Sequence, residues 1–294
     1  MRYGVNLPNL GEYSDPRLLA DLALEAEEAG WDGVFIWDHL LVSPELGATD
    51  PWIALAAMAM NTKRVTIGTL VTPLARRDPS TVAREVVTLD HLSNGRVILG
   101  VGLGAPAETE FELFGEEGDP KIRAQKLDEG LEIVVGLCSG QPFEYHGTFH
   151  EIPETTFALM PVQPGGIPIW VAGYWPNKAP MRRAARCQGV YPVAPDPNSE
   201  TFALLPMSPQ IVTDIRSYVA EHRTSDEPFE MVISYDLPVD DPELSAEIVQ
   251  GFADAGVTWL LHEFMPWGDS VEDARRRIWQ GPPTQRVELA MRCR

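Results

Sequence analysis

Asp38 and His39 stand side by side at the end of an apolar run, Gly33-Val34-Phe35-Ile36-Trp37. A carboxylate next to an imidazole can orient the ring or share its proton, and imidazole is the side chain that titrates nearest neutrality. The pair therefore suits general acid–base work. A plainer alternative is that Asp38 caps the following turn and His39 only packs. Other chemistry-bearing residues close other apolar runs: Asn6; Thr69, Leu70, Val71 and Thr72; Gly102, Leu103 and Gly104; Gly173, Tyr174 and Trp175; Tyr235 and Asp236; His262 and Glu263.

Three features suit a flat ligand that carries a phosphate. The glycines of residues 100–104, Gly-Val-Gly-Leu-Gly, let main chain approach a ligand closely. This stretch lacks the last glycine of the dinucleotide fingerprint and follows the fourth apolar run, not the first. Residues 171–183 lead through Gly173 into a turn and a helix, whose free amides can hold an anion, with Lys178 adding charge. Trp37, Tyr174 and Trp175 offer aromatic walls. Metal chemistry fits poorly and no metal site is expected. Of six histidines only His39 and His262 end apolar runs, and no His-X-His occurs. No Gly-X-Ser-X-Gly marks a serine nucleophile.

Positioning these residues falls to a regular alternation. Strands are predicted at 3–7, 33–37, 65–70, 96–104, 167–173, 189–193, 229–238 and 257–264. Helices are predicted at 15–30, 50–62, 78–93, 120–140, 178–189, 208–223, 241–256 and 270–281. Asp15, Asp50 and Asp78, each followed by proline, are N-cap signals. Strands that alternate with helices imply a parallel sheet, and eight such units imply a closed α/β barrel of the TIM type. Residues 141–166 lack a helical period and read as an inserted hairpin and loop between the fourth helix and the fifth strand. The whole of 1–294 reads as one domain. Barrels of this kind work at the C-terminal ends of their strands, which is where Asp38 and His39 fall.

The chain has 294 residues, 44% of them apolar, and carries 43 acidic against 23 basic residues for a net charge of −20. So acidic a surface argues against nucleic acid or an anionic membrane as partner. Cys138, Cys187 and Cys293 are odd in number and widely spaced, giving neither a disulfide frame nor a zinc set. The start, Met-Arg-Tyr-Gly-Val-Asn-Leu, lacks the apolar core of a signal peptide, and no apolar run is long enough to span a bilayer. A cytoplasmic protein is expected.

Several stretches together resemble the bacterial luciferase-like superfamily of flavin monooxygenases and deazaflavin (coenzyme F-420) oxidoreductases. They are GWDGVFIWDHL, VTIGTLVTPLARRDPSTVAREVVTLDHLSNGRVILGVGLG, RAQKLDEGLEIVVGLCSGQPFEYHGTFHEI, PVQPGGIPIWVAG and RRAAR. The resemblance covers residues 1–193; the last third matches only in its pattern of elements. It implies a ring across the barrel mouth, a non-proline cis peptide near Leu70–Val71 at the end of strand three behind that ring, and a phosphate between Gly173 and Lys178. It implies His39 and Asp38 as catalytic residues, with the histidine beside ring and substrate. Cofactor contacts are expected from Thr69, Leu70, Val71, Gly102, Leu103, Gly104, Gly173, Tyr174, Trp175 and Lys178. Arg76 and Arg77 could hold an acidic cofactor tail or be surface charges. The acid that follows strand four in sugar-phosphate-oxidising relatives is missing, because Ala105 stands there and Glu108 and Glu110 come later. Deazaflavin F-420 hydride transfer to or from a small organic molecule is the leading expectation. FMN-dependent monooxygenation, fed by a separate flavin reductase, and flavin binding without turnover are the alternatives. A homodimer is expected by the same resemblance.

Overall fold

The computed structural model describes residues 1–195, 204–238 and 240–283. Eight parallel strands close into a barrel: β1 (Arg2–Leu7), β2 (Gly33–Ile36), β3 (Thr66–Pro73), β4 (Val97–Gly102), β7 (Ile169–Tyr174), β8 (Gly189–Pro195), β10 (Glu230–Ser234) and β11 (Trp259–Glu263). They neighbour one another in chain order, β11 pairs back onto β1, and β8 pairs with β10. A separate hairpin, β5 (Phe143–His146) and β6 (Glu151–Thr155), lies within the predicted insertion. A two-residue strand, β9 (Leu204–Leu205), runs antiparallel to β8.

Helices α1 (Pro16–Glu28), α2 (Pro51–Asn61), α3 (Pro79–Ser93), α4 (Ala107–Glu110), α5 (Pro120–Cys138), α6 (Lys178–Ala184), α7 (Pro209–His222), α8 (Pro242–Ala255) and α9 (Val271–Trp279) link the strands. The Asp-Pro signals work as expected. Asp15 accepts the Arg17 N–H, Asp50 those of Trp52 and Ile53, and Asp78 that of Thr81. Each cap satisfies a donor that the helix leaves unpaired, an effect of about 1 kcal/mol. The proline after each sits where its missing N–H costs nothing.

The barrel interior is a plug of large side chains. Phe35, Trp170 and Trp259 touch one another with ring centroids 5.2–5.7 Å apart, and Leu70, Ile98, Val232 and Leu261 fill the space around them. Tyr191 closes the top of this layer. The plug packs the interior below the strand ends, and the polar side chains gather at the mouth above it.

Some boundaries differ from the sequence reading. Strand four ends at Gly102, not 104, and strand seven at Ser234, not 238. Helix α6 stops at Ala184 because residues just beyond it dock on the sheet: Gln188 exchanges hydrogen bonds of 3.0 and 3.1 Å with the Ile169 main chain. Helix α4 was not predicted, since four residues carry no readable period. The insertion is tied down by two carboxylates. Glu129 accepts the Thr148 and Phe149 N–H groups, and buried Asp90 accepts those of Val162 and Gln163. Cys293 and the last residues of the predicted domain lie outside the described residues.

Strands β3 and β4 shift register between Thr69 and Thr72, where the Leu70–Val71 peptide is cis. Glycine permits this crossing. A Cβ on Gly100 would lie 2.1 Å from Thr69 O, and one on Gly68 would lie 2.0 Å from Ile98 O. Main chain cannot swing aside as a side chain can. Gly100→Ala is therefore expected to destabilise the protein by about 3 kcal/mol or more, read as a lower urea midpoint at unchanged slope. A midpoint equal to wild type would show that the two strands have slack.

Candidate active site

Asp38 follows β2 at the barrel mouth and is buried. A lone buried carboxylate is costly, and it is stable only with donors on its lone pairs. Those donors come from the segment that follows β3. Arg77 forms a two-pronged pair with Asp38, Nε to Oδ2 at 2.8 Å and Nη2 to Oδ1 at 2.7 Å. Arg76 Nη2 reaches Asp38 Oδ1 at 3.1 Å and the Asp38 carbonyl at 2.8 Å. Thr72 Oγ1 donates to Oδ2 at 3.0 Å. The Asp38 charge raises the Arg77 pKa, against the opposing effect of burial.

The second anchor is Glu110, the last residue of α4, with a side chain only 2% exposed. It accepts from Arg76 and from the main-chain N–H groups of Leu40 and Leu41, at 3.0–3.1 Å for the two amides. His39 Nδ1 lies 3.0 Å from Glu110 Oε1. Burial pushes the Glu110 pKa up. The His39 and Leu40 hydrogen bonds and the charges of His39 and Arg76 outweigh it, so the carboxyl titrates below its ordinary range. An ionised Glu110 accepts a proton-bearing Nδ1, which leaves Nε2 as the ring's basic nitrogen. Nε2 makes no hydrogen bond among the described residues, and the His39 side chain is 26% exposed. The ring lies edge-on to Trp37, with centroids 5.4 Å apart.

Trp37 leads to another carboxyl. Its Nε1 donates to Glu263 Oε1 at 3.1 Å, and Asn6 Nδ2 donates to the same oxygen at 3.0 Å. Glu263 Oε2 is 3.2 Å from the Tyr191 hydroxyl, which is 2.7 Å from Ser234 Oγ. Burial raises the Glu263 pKa, more than these hydrogen bonds lower it. Burial raises that of Tyr191 well above its ordinary value, and Glu263, ionised in the alkaline range where tyrosine titrates, adds to it. Strands β1, β8, β10 and β11 and the residue after β2 thus meet over the aromatic plug.

The residues expected to hold a cofactor are spread around the same rim. Thr69 and Leu70 are buried, Thr69 Oγ1 donating to Gly100 O, while Val71 is half-buried. The missing side chains of Gly102, Gly104 and Gly173 make room for protein. A Cβ there would lie 2.6 Å from Val71, 2.7 Å from Pro73 and 2.2 Å from Pro180, respectively. Arg123 donates to the Leu103 and Gly104 carbonyls. Tyr174 and Trp175 are half-buried, and Lys178 Nζ lies 3.7 Å from the Trp175 ring centroid and 4.3 Å from that of Tyr218. The cap residue of α6, Asn177, makes no side-chain cap bond. Among the described residues, no group of three or more His, Cys, Asp or Glu side chains could hold a metal.

Sequence reasoning placed Asp38 and His39 at the mouth but not Glu110, which it set aside as too far from Gly104. It also left open whether Arg76 and Arg77 face solvent; both turn inward. The available signal was charge: two arginines after one strand and a carboxylate after the next, in an acidic chain.

The depressed Glu110 pKa has a stability consequence. A carboxyl with a folded pKa below its unfolded value of ~4.3 stabilises the fold above that value and stops doing so as pH falls through the folded one. Glu110→Gln should cost about 3 kcal/mol near neutral pH by leaving Arg76 and Arg77 to share the single negative charge of Asp38. The gap from wild type should narrow as pH drops below ~4. Urea denaturation of both proteins across this range measures it, and a pH-independent gap would contradict an ionised Glu110.

The luciferase-like monooxygenase family profile matches residues 1–277. An F420-dependent glucose-6-phosphate dehydrogenase of Amycolatopsis mediterranei (strain U-32) is 38% identical over 170 residues, 56% of this chain and 50% of that relative. The chain thus spans about half the length of that curated relative. Two solved structures share the fold across nearly the whole chain. An F420-dependent secondary alcohol dehydrogenase in complex with an F420–acetone adduct has a TM-score of 0.75 and 18% identity, covering 96% of this chain and 98% of that one. The oxygenating constituent of 3,6-diketocamphane monooxygenase from the CAM plasmid of Pseudomonas putida, in complex with FMN, has a TM-score of 0.74 and 16% identity, covering 95% and 96%. The match over residues 1–277 decides the matter: this chain belongs to the luciferase-like monooxygenase family.

Proposed function

We propose that this chain is a deazaflavin-dependent oxidoreductase that uses coenzyme F-420 to move hydride to or from a small organic substrate. The observation that carries this reading is His39, a part-exposed imidazole fixed through Nδ1 to a buried, ionised Glu110. Its free Nε2 suits taking the proton of a substrate hydroxyl as hydride leaves the neighbouring carbon, or returning it in reverse. The curated relative's F-420 dependence supports the choice of cofactor.

The mouth suits such a ring. Asn6 Oδ1 is buried without a partner, an acceptor that a ligand N–H or O–H would satisfy. Val71, Tyr174 and Trp175 would flank the ring, and the uncapped start of α6 with Lys178 would hold its phosphate. When bound, the deazaflavin supplies two-electron hydride chemistry with little reactivity toward oxygen. His39 then moves the substrate proton. Asp38 positions His39 by fixing the turn through Arg76 and Arg77, because both its oxygens are already occupied.

We also read α2 as part of a homodimer face. Ile53 and Met60, seven residues apart, point outward with 65% and 72% exposure. Met60→Glu should shift sedimentation from dimer to monomer, and an unchanged profile would move the interface elsewhere.

The functional test is to titrate the protein with F-420 and with FMN, then add secondary alcohols and follow deazaflavin absorbance. F-420 should bind and be reduced. His39→Ala should keep binding and lose turnover on the order of a hundredfold or more. Binding of FMN alone, with oxygen consumed on reduction, would overturn the reading.

A further inference from the structure

Glu263 and Glu110 stand at the same mouth in opposite surroundings. Glu110 has an arginine and two main-chain amides. Among the described residues the hydrogen-bond partners of Glu263 are uncharged: Trp37, Asn6, Tyr191 and Ser234, whose hydroxyl also meets that of Tyr191. Two carboxyls whose settings pull their protonation apart are the usual arrangement of an acid and a base in one site.

The geometry also says where a proton would sit. Trp37 Nε1 only donates, and Asn6 presents its amide nitrogen, so both fill Oε1. Oε2 faces the Tyr191 hydroxyl, which can accept as readily as donate. A proton on Oε2 has the Tyr191 and Ser234 hydroxyls as acceptors, because a hydroxyl accepts as well as donates. The titratable groups around it are few. Tyr191 comes from β8, His39 stands beyond the Trp37 ring, and His262 with Asp236 forms a neighbouring pair at 3.4 Å between β11 and the segment after β10. Burial favours the neutral carboxyl in this setting.

We propose that Glu263 is the second proton-transfer group of this site, protonated in the resting protein and donating to the ligand atom that gains negative charge when hydride arrives. Its place as donor rests on the oxidoreductase reading above; its protonated state does not. The substrate C–H leaves as hydride with its electron pair, and the substrate O–H proton goes to His39 as the C=O bond forms. With the cofactor bound, the Glu263 O–H bond would break and Glu263 would give its proton to the atom that carries the hydride's charge. The carboxylate left behind is met by the Trp37, Asn6 and Tyr191 donors. Glu263 thereby fills the place left by Ala105 after strand four, from the opposite side of the barrel. In the reverse direction each proton returns to its source.

The first test needs no cofactor. Infrared spectra of the apo protein at neutral pH should contain a protonated-carboxyl stretch that is absent in Glu263→Gln. Tyr191→Phe should shift that band by removing the hydroxyl on Oε2, which keeps the assignment testable if Glu263→Gln does not fold. Identical spectra for wild type and Glu263→Gln, or a band unmoved by Tyr191→Phe, would overturn the protonated state. With F-420 and an alcohol, Glu263→Gln should leave the dissociation constant within about twofold and cut turnover by a hundredfold or more, on the order expected for a lost acid–base group. It should also lose the alkaline limb of the rate profile set by Glu263. Unchanged turnover and pH profile with the band present would overturn the donor role. Failure of wild type to bind F-420 would sink the oxidoreductase reading, while the infrared comparison would still decide the state of Glu263.

Discussion

Everything at the mouth hangs on one buried charge cluster. Asp38, Arg76, Arg77 and Glu110 come from three separate segments, after β2, after β3 and in α4. Two negative and two positive side chains cancel, so none is left uncompensated in a low-dielectric setting. Removing any one leaves the cluster with an uncompensated charge, and the three segments therefore hold one arrangement. His39 is built directly on this cluster, its main-chain N–H on Asn9 Oδ1 and its ring on Glu110. The imidazole is thus aimed before any ligand is present, which is how a proton-transfer group gains its effect.

The barrel supplies the other half of the constraint. Its interior is filled by Phe35, Trp170 and Trp259, so the layer above them is the deepest point a ligand could reach. Glu263, Asn6 and Tyr191 occupy that layer, and Trp37 joins it to His39. The crossing of β3 and β4, made possible by Gly68 and Gly100, sets the segment that carries Arg76 and Arg77. Packing at the core and charge at the rim are therefore coupled through a single stretch of main chain.

The fold was legible because its signals are local. Asp-Pro caps, strands of unbroken apolar residues and the aperiodic 141–166 each declare themselves within a few residues, and all reappear in the structure. The site was half legible. Asp38 and His39 announce themselves as a polar pair at a strand end. Glu110 does not, because it lies 71 residues from His39 and on a helix too short to show a period. Arg76 and Arg77 read equally as holders of an acidic tail or as surface charges until Asp38 is placed beside them. The glycines of residues 100–104 were read as letting main chain approach a ligand, and a Cβ added at Gly102 or Gly104 would meet side chains of the protein itself. Glu263 stood out only as one strand end among eight; its uncharged company is a property of five segments that the sequence does not place together.

The most direct test of this account concerns the His39 ring itself. If buried, ionised Glu110 holds it, neutral His39 carries its proton on Nδ1 and leaves Nε2 bare. Nitrogen-15 chemical shifts of the histidine rings, with His39 assigned by its loss in His39→Gln, distinguish the two tautomers. The account predicts a protonated Nδ1 in wild type and loss of that preference in Glu110→Gln. A neutral His39 protonated on Nε2 would mean that Glu110 does not hold the ring, and the proposed aim of the imidazole would be wrong.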